Sequence, residues 1–321
     1  MTENPARGQA AESGRERVPV MPADIAKRLD AAGLSPVDVL AVVATALAED
    51  LAGGQDVTTA ATVDAATRGS ADVVARLPGV VAGLPVAELV FWAVSADDPL
   101  ECVTRAADGD RVVAGQTLLT VSGQIGAILT AERTALNLLG HLSGIATLTR
   151  RFADAVAGTG ARIRDTRKTL PGLRALQKYA VRCGGGRNHR MGLGDAALIK
   201  DNHVAAAGGI GPAVGAVRAA IAALAGNGAG LVDAEVECDS LDQVADALAA
   251  GCDLILLDNM SLGQLRAAVA LAKDWPGVQL EASGGLRLEN ARDVALTGVD
   301  YLAVGALTHS SPALDLGLDL E

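Results

Sequence analysis

Residues 253–285, DLILLDNMSLGQLRAAVALAKDWPGVQLEASGG, decide the fold of this chain. An apolar run is followed by a helical pattern over residues 262–272 and then by a second apolar run that ends in Ser-Gly-Gly. Ser261 and Gln264 have the spacing of a capping box, in which side chains satisfy the unpaired N–H groups at a helix start. The same S-x-x-Q spacing recurs at Ser240. The stretch therefore predicts a strand, a helix and a second strand.

The same unit recurs on both sides of this stretch. An apolar strand at residues 231–237 leads to a helix at 241–250, and a helix at 288–297 leads to a last strand at 301–304. Continuous apolar strands that alternate with helices are typical of a parallel sheet covered by helices. The regular spacing favours a closed α/β barrel with fewer than eight strands. No G-x-G-x-x-G follows a strand, so a dinucleotide-binding fold has no support.

The first third of the chain has a different pattern and predicts a separate domain. Ser35 followed by proline marks a helix start. The later apolar runs, separated by turn pairs, predict a small antiparallel sheet with helices packed on it; they cover residues 71–77, 80–84, 100–104 and 116–121. Residues 128–156 are largely apolar and predict a pair of buried or interface helices, with the domain boundary near residue 135. Residues 1–20 are polar and predict a disordered tail.

Composition limits the classes of function. The 321 residues carry a formal charge of −11, which argues against nucleic acid or an anionic membrane as the main partner. The four cysteines show no C-x-x-C spacing, so we expect reduced thiols rather than a zinc site or a disulfide framework. No apolar run follows the N-terminal charges, and no stretch of about 18 apolar residues occurs. We therefore expect a soluble cytoplasmic protein.

A basic segment stands out against this acidic background. Residues 161–200 hold ten basic and only two acidic side chains. Such a local excess indicates a site for a small, multiply anionic ligand, because nucleic acid more often requires a broad basic face. Arg174, Lys178 and Arg182 recur every four residues and predict an exposed helix face instead. The segment also predicts strands at residues 161–166 and 197–200, with helices at 171–183 and 211–225.

Functional residues of α/β barrels lie at the C-terminal ends of the strands. Here the predicted strand ends are followed by charged or glycine-rich groups: Arg167 and Lys168, Lys200, Glu237, Asp258, Ser283 to Gly285, and Gly305. Glycines at this position let backbone N–H groups approach a phosphate. The two carboxylates suit Mg²⁺ or ribose hydroxyls, with solvated strand ends as the alternative. Arginine binds carboxylates in a bidentate manner whereas lysine supplies a point charge, so the mixture suits a ligand with carboxylates and phosphates.

At these residues the chain strongly resembles the quinolinate phosphoribosyltransferase family. The resemblance covers nearly everything after residue 20 and rests on nine motifs in family order: EDLAGGQDVTT (49–59), ERTALNLLGHLSGIAT (132–147), DTRKTLPGLR (165–174), GGGRNHRMGL (184–193), IKDNH (199–203), EVE (235–237), LLDN (256–259), SGG (283–285) and VGALTHS (304–310). Ala52 stands where a glycine is common. Gln177 replaces a glutamate often found there, and we expect it on the helix surface.

The resemblance implies a fold and an activity. The fold is α/β: an N-terminal open α/β sandwich domain over residues 21–135, joined by residues 310–321, and an incomplete, six- to seven-stranded TIM-like barrel over residues 136–309. The implied enzyme is a pentosyltransferase of NAD biosynthesis. It would convert quinolinate and phosphoribosyl pyrophosphate (PRPP) into nicotinate mononucleotide, pyrophosphate and CO₂, with Mg²⁺ as cofactor.

The resemblance also implies roles for individual residues. Those expected to bind quinolinate are Arg133, Thr166, Arg167, Lys168, His189, Arg190 and Lys200, with Arg133 supplied by the second subunit of a homodimer. Those expected to bind PRPP are Lys168, Lys200, Glu237, Asp258, Ser283, Gly284, Gly285, Val304, Gly305 and Ala306. Lys168, Lys200, Glu237 and Asp258 are the expected catalytic residues, and Glu237 and Asp258 the expected Mg²⁺ ligands.

Three alternatives remain open at this point. A phosphoribosyltransferase without decarboxylation, acting on nicotinate or a related substrate, would share the fold but would not need so many groups for two carboxylates. A barrel aldolase could form a Schiff base on Lys168 or Lys200. A non-catalytic sensor of a phosphate ligand would have less need of Glu237 and Asp258.

Overall fold

The computed structural model describes residues 21–52, 54–95, 98–225 and 234–321. The predicted tail at residues 1–20 lies outside the described residues, as does the start of the predicted strand at 231–237.

The N-terminal part is built on a four-stranded antiparallel sheet, as predicted. Its elements are α1 (Ala23–Ala31), α2 (Pro36–Asp50), α3 (Val57–Thr62), β1 (Arg68–Ala75), β2 (Gly79–Val80), α4 (Leu84–Val94), β3 (Glu101–Thr104), β4 (Arg111–Val112) and β5 (Thr117–Gln124). The C-terminal strand β12 (Leu316–Leu320) pairs antiparallel with β1 and completes the order β12-β1-β5-β3. The predicted strand at residues 80–84 is mostly wrong. Gly83 is left-handed and Pro85 lies in the first turn, so α4 begins at Leu84.

One long helix connects the two parts of the molecule. Residues Ile125–Ala155 form a single 31-residue helix, α5, so the predicted helix pair is wrong. No proline interrupts it, and its internal glycines serve close packing instead of helix termination. A Cβ on Gly144 would lie 2.1 Å from the carbonyl oxygen of Pro312, in the segment leading to β12. Residue 135 lies inside this helix, and the predicted domain bounds stay a prediction.

The second part is a parallel six-stranded sheet wrapped by helices, which confirms the predicted incomplete α/β barrel. Its elements are β6 (Arg162–Arg164), α6 (Arg174–Cys183), β7 (Ala197–Ile199), α7 (Asp201–Ala207), α8 (Ile210–Ala225), β8 (Ala234–Cys238), α9 (Leu241–Ala249), β9 (Leu254–Asp258), α10 (Leu262–Ala272), β10 (Gln279–Ser283), α11 (Leu288–Ala295), β11 (Tyr301–Ala303) and α12 (Ala306–His309). The strand order is β6-β11-β10-β9-β8-β7, and within the described residues β6 and β7 are not paired with each other. The barrel is therefore open along this seam, so the closed barrel favoured by the spacing is wrong, whereas the number of strands below eight is as expected.

Both predicted capping positions start helices, but only one is a full capping box. Ser261 accepts a hydrogen bond from Gln264 N–H and donates its own N–H to the Gln264 side chain at 3.0 Å. Ser240 also caps its helix, whereas the Gln243 side chain accepts instead from Asp239 N–H, at 2.7 Å.

The predicted exposed face of α6 is wrong at its centre. Arg182 is exposed and Arg174 is half-buried, but Lys178 is fully buried, and so is the neighbouring Gln177. Helix α6 lies against α5, so residues of this face point into the protein. Their buried polar groups are paired, as buried polar groups must be.

Two further expectations concern the whole molecule. The four cysteines, all within the described residues, are free thiols, and Cys238 and Cys252 are buried. No single described helix is long and apolar enough to cross a membrane; the pairs α1 with α2 and α7 with α8 meet the length and composition only when each bent pair is taken together.

The close approach at Gly144 generates a test of how α5 packs. Gly144→Ala should lower the free energy of unfolding by about 1–3 kcal/mol, because the new Cβ would overlap backbone atoms that cannot move away. Gly215→Ala is the control: this glycine is exposed inside α8 with nothing near its missing Cβ. The free energy of unfolding of this variant should rise by roughly 0.5–1 kcal/mol, because alanine has a higher helix propensity than glycine. Urea denaturation measures the free energy of unfolding of both variants. A change of the same sign in both would contradict the close packing at Gly144.

Candidate active site

A cavity of about 570 Å³ opens at the C-terminal ends of the barrel strands. Its wall contains most of the residues expected to bind ligand: Thr166, Arg167, Lys168, His189, Arg190, Lys200, Glu237, Asp258, Ser283, Gly284 and Gly285. The C-terminal ends of parallel strands meet at one rim, which explains how residues so far apart in sequence converge. Asn259 and Glu281 line the same cavity and were not expected.

Four expected residues lie outside this wall. The Arg133 side chain is 63 % exposed on α5. Val304 to Ala306 follow Ala303, which does line the cavity. A Cβ on Gly305 would lie 3.3 Å from Cδ of Lys168, so glycine at this position lets the lysine side chain pass close to the turn.

The basic side of the cavity carries charge without full compensation. Arg190 donates through Nη1 to the carbonyl of Ala196 at 3.1 Å, while its buried Nε has no partner among the described residues, and neither does Nε of Arg167. Burial and the nearby Arg167 lower the pKa of Arg190. Two guanidinium groups held close together without a carboxylate partner form a strong site for an anion.

The opposite side carries the two strand-end carboxylates. Glu237 and Asp258 end the adjacent strands β8 and β9. Glu237 pairs with the Lys200 ammonium, and Asp258 accepts a hydrogen bond from the Asn259 side chain at 2.7 Å. Oxygen donors on neighbouring strands beside an anion site are the set that Mg²⁺ uses together with a phosphate ligand.

The turn after β9 and the turn after β10 contact each other, and both contain a residue with positive φ. Asn259 has φ +54°, and it is the one non-glycine residue with positive φ among the described residues. A Cβ on Gly284, which also has positive φ, would lie 2.1 Å from Oδ1 of Asn259. Only glycine fits at residue 284, and asparagine is one of the few side chains that tolerate the left-handed region. Strain of this kind concentrates at functional sites.

Behind the basic wall lies a buried ionic cluster that was missed. Its members outside the predicted set are Asp165, Lys178, Glu235 and Glu281, each no more than 3 % exposed. Lys178 pairs with Asp165, and Arg164 pairs with Glu281 at 2.5 Å. The period of two along a strand was the available signal, since Glu235 shares a face of β8 with Glu237 and Glu281 shares a face of β10 with Ser283.

His189 lies between this cluster and the cavity. Its Nδ1 accepts a hydrogen bond from the N–H of Arg190 at 2.7 Å, and its Nε2 is 2.9 Å from Oε2 of Glu235 and 3.5 Å from Oε1 of Glu281. Both ring nitrogens therefore already have partners within the protein.

Gln177 braces the loop that carries Arg167 and Lys168. Its side-chain oxygen accepts from Leu170 N–H at 3.0 Å, and its amide donates to the carbonyl of Thr308 at 2.9 Å. The Thr308 hydroxyl in turn donates to the carbonyl of Lys168 at 2.8 Å. The expected surface position of Gln177 is wrong, because this residue connects three segments next to the cavity.

Comparison with known proteins identifies the family. The model described as "Quinolinate phosphoribosyl transferase, N-terminal domain" matches residues 56–143, and that described as "Quinolinate phosphoribosyl transferase, C-terminal domain" matches residues 145–319. The chain belongs to the quinolinate phosphoribosyl transferase family.

Relatives in this family are similar over most of their length. A nicotinate-nucleotide pyrophosphorylase [carboxylating] of Mycobacterium leprae is 57 % identical over 277 residues, which is 86 % of this chain and 94 % of that protein. A quinolinate phosphoribosyltransferase [decarboxylating] of Nicotiana glauca is 38 % identical, over 88 % of this chain and 83 % of that protein. The solved nicotinate-nucleotide pyrophosphorylase from Francisella tularensis superimposes with a TM-score of 0.83 at 37 % identity, covering 90 % of this chain and 99 % of that one.

These findings confirm the predicted family, fold class and type of enzyme. The names of the relatives do not favour the phosphoribosyltransferase without decarboxylation or the barrel aldolase. The assigned roles of individual residues stay predictions.

The buried cluster generates a prediction about pH. Burial, with the nearby Glu235 second, raises the pKa of Glu281 from 4.5 to about 7. Between these two values the folded protein holds a proton that the unfolded chain has released. The free energy of unfolding should therefore fall as pH rises through this window, by an amount on the order of 1–3 kcal/mol, and level off above it.

Glu281→Gln should remove this part of the pH dependence, since the amide does not titrate. Urea denaturation at about pH 5 and about pH 7.5 gives the free energy of unfolding of the wild type and of Glu281→Gln at each pH. An unchanged difference between the two pH values in the variant would show that Glu281 does not carry the effect.

Proposed function

We propose that this protein transfers the phosphoribosyl group of PRPP to quinolinate and releases CO₂, giving nicotinate mononucleotide and pyrophosphate in NAD biosynthesis. The observation that carries the proposal is one cavity in which two arginines, each with a buried Nε that lacks a partner among the described residues, face two strand-end carboxylates and a glycine turn. This arrangement offers complementary groups for a dicarboxylate and for a phosphorylated sugar in one space. The family and the printed names of the relatives support the same reaction.

The basic wall suits quinolinate. Arg167 and Arg190 would hold carboxylates in the bidentate manner of guanidinium groups. Lys168 and Lys200 would add point charges near both substrates, and Thr166 lies in the wall beside them. The buried Nε of Arg167 and that of Arg190 have no partner among the described residues, so a dianion that accepts hydrogen bonds from them would be bound favourably.

The opposite wall suits PRPP. Glu237 and Asp258 would accept hydrogen bonds from ribose hydroxyls and would hold Mg²⁺, whose preferred ligands are oxygens such as theirs. When bound, Mg²⁺ would neutralise charge on the departing pyrophosphate. Ser283 to Gly285 and Val304 to Ala306 would receive the 5′-phosphate on backbone N–H groups, with Lys168 beside the second turn.

The reaction needs positioning and electrostatics rather than a protein nucleophile. The pyridine nitrogen forms a bond to the anomeric carbon while the bond to pyrophosphate breaks, so the sugar develops positive charge. The carboxylates of Glu237 and Asp258 would stabilise that charge, as carboxylates do in glycoside hydrolysis. Lys168 and Lys200 would stabilise the leaving group. The ring nitrogen becomes cationic and accepts the electron pair left when the 2-carboxylate departs as CO₂, and the ring carbon then takes up a proton.

We also propose a homodimer in which Arg133 reaches the cavity of the partner. The exposure of Arg133 and its absence from the cavity wall of its own chain support this proposal. A third arginine would serve the second carboxylate of quinolinate. The cytoplasmic location expected from the sequence stays a prediction.

A direct assay tests the reaction. Purified protein with PRPP and Mg²⁺ should form nicotinate mononucleotide and CO₂ from quinolinate and no product from nicotinate. The measurement is chromatography of the nucleotide product with each substrate in turn. Absence of product from quinolinate would refute the proposed function, and product from nicotinate would favour the reaction without decarboxylation.

Substitutions test the assigned roles. Arg190→Ala and Lys200→Ala should each raise the KM or lower kcat by about 10²-fold or more while the far-UV circular dichroism stays that of the wild type. Arg151→Ala, at an exposed arginine of α5, is the control and should leave both constants unchanged. Near-normal kinetics in Arg190→Ala and Lys200→Ala would refute their roles.

A further inference from the structure

Four atoms of His189 are held by hydrogen bonds or ion pairs: three by buried charged groups, and Nδ1 by the N–H of Arg190. Its backbone N–H donates to Oδ1 of Asp165 at 2.8 Å, and its carbonyl accepts from Nζ of Lys178 at 2.8 Å. Its Nε2 faces Glu235 and Glu281, as described above. We call Asp165, Lys178, Glu235 and Glu281 together the His189 clamp. A histidine held at both backbone groups and both ring nitrogens has little freedom to turn toward a ligand.

The hydrogen bonding of the ring fixes its tautomer. Because Nδ1 accepts the N–H of Arg190, the ring proton lies on Nε2, from which it is donated to Glu235. The ligand atoms of His189, Glu235 and Glu281 lie within 4.8 Å of one another, which is also the spacing of a three-ligand metal site. A metal-bound histidine donates its other ring N–H to a neighbouring acceptor. Here the other nitrogen accepts, so Nε2 offers no lone pair to a metal.

The clamp acts on the cavity through Arg190. The N–H of Arg190 is bonded to the His189 ring, and its guanidinium is among the groups without full partners in the wall. The ring orientation thus sets where the Arg190 backbone lies, and the backbone sets where the guanidinium points. The segment itself runs beside the open edge of β6, where Arg187 donates its N–H to the carbonyl of Ile163 at 2.8 Å.

We propose that Glu235 is a positioning residue for quinolinate binding that acts through His189, and that His189 orients Arg190 instead of contacting the substrate. This inference rests on the proposed function of the cavity and deepens it. Glu235 lies two residues before Glu237 on β8, so one strand carries both the expected PRPP ligand and the residue that fixes the quinolinate side. Loss of the Glu237 role should change the KM for PRPP, whereas loss of the Glu235 role should change the KM for quinolinate.

Glu235→Met is the main test, because it removes the acceptor for Nε2–H and keeps most of the volume. We expect the KM for quinolinate to rise about 10-fold or more, since small displacements of a binding group have effects of this size, while the KM for PRPP stays within about 2-fold. Glu235→Gln keeps an acceptor oxygen and should restore most of the quinolinate affinity. A purely structural role would not separate the two KM values or be rescued in this way.

A buried glutamate elsewhere provides the matched control. Glu88 in α4 is 5 % exposed and accepts from Arg28 at 2.6 Å, far from the cavity wall. Glu88→Met should lower the melting temperature without changing either KM. If Glu235→Met does not fold, Glu235→Asp replaces it, because the shorter carboxylate keeps the buried charge but withdraws from Nε2. We expect the KM for quinolinate to rise in Glu235→Asp as well, by less than in Glu235→Met.

A double variant separates positioning from direct contact. If Glu235 acts through His189, the quinolinate KM of Glu235→Met combined with His189→Gln should equal that of His189→Gln alone, since coupled residues are not additive. Additive effects, or a wild-type quinolinate KM in Glu235→Met or its Asp replacement, would overturn the inference. Turnover of quinolinate by the wild-type protein tests the proposed function separately and does not depend on these variants.

Discussion

The open seam between β6 and β7 is the constraint on which the rest of the structure depends. An edge strand inside a barrel exposes backbone groups that need partners. Residues just after α6 supply them, because Asp165 donates its N–H to the carbonyl of Arg187 and Arg187 donates its N–H to the carbonyl of Ile163. Since no regular strand of the described part of the chain fills the seam, the segment is held by side chains instead. The ion pair of Lys178 with Asp165 is fully buried, where removal of either partner leaves a costly uncompensated charge.

The basic side of the cavity therefore has two layers, which differ in how fully their charged groups are paired. The inner layer is an ionic network whose groups are mostly satisfied, with Oε1 of Glu235 and of Glu281 as exceptions. The outer layer presents arginine and lysine side chains toward the ligand. The buried ion pairs hold the segments of the basic wall in place, while Nε of Arg167 and Nε of Arg190 have no partner among the described residues. A preorganised anion site of this type needs little rearrangement when the ligand binds.

Site residues could be predicted from the sequence where they stand at the end of a predicted strand. Glu237 and Asp258 were predicted because they end apolar strands, and the βα spacing was sufficient to predict the parallel barrel. The burial of Lys178 does not follow from the sequence, because a basic residue every four positions is typical of an exposed helix face. Its burial depends on Asp165, which reaches it only in the folded barrel. Glu235 and Glu281 stand inside short apolar runs, where period-two alternation was overlooked. Gly144 in the middle of α5 packs against Pro312, more than 160 residues later, and no local pattern reveals that this glycine serves packing rather than a helix end.

The return of β12 to the first sheet has a consequence for synthesis of the chain. The hydrogen bond from Ser70 to Glu321 joins residues 251 positions apart, and the intervening barrel is translated before the last strand is available. Until then β1 has an unprotected edge, and the groove along Gly140 and Gly144 of α5 is uncovered. Contacts of such long separation form slowly, and unpaired edges favour aggregation. The N-terminal region of this enzyme is therefore the part that most needs protection on the ribosome, although it is made first.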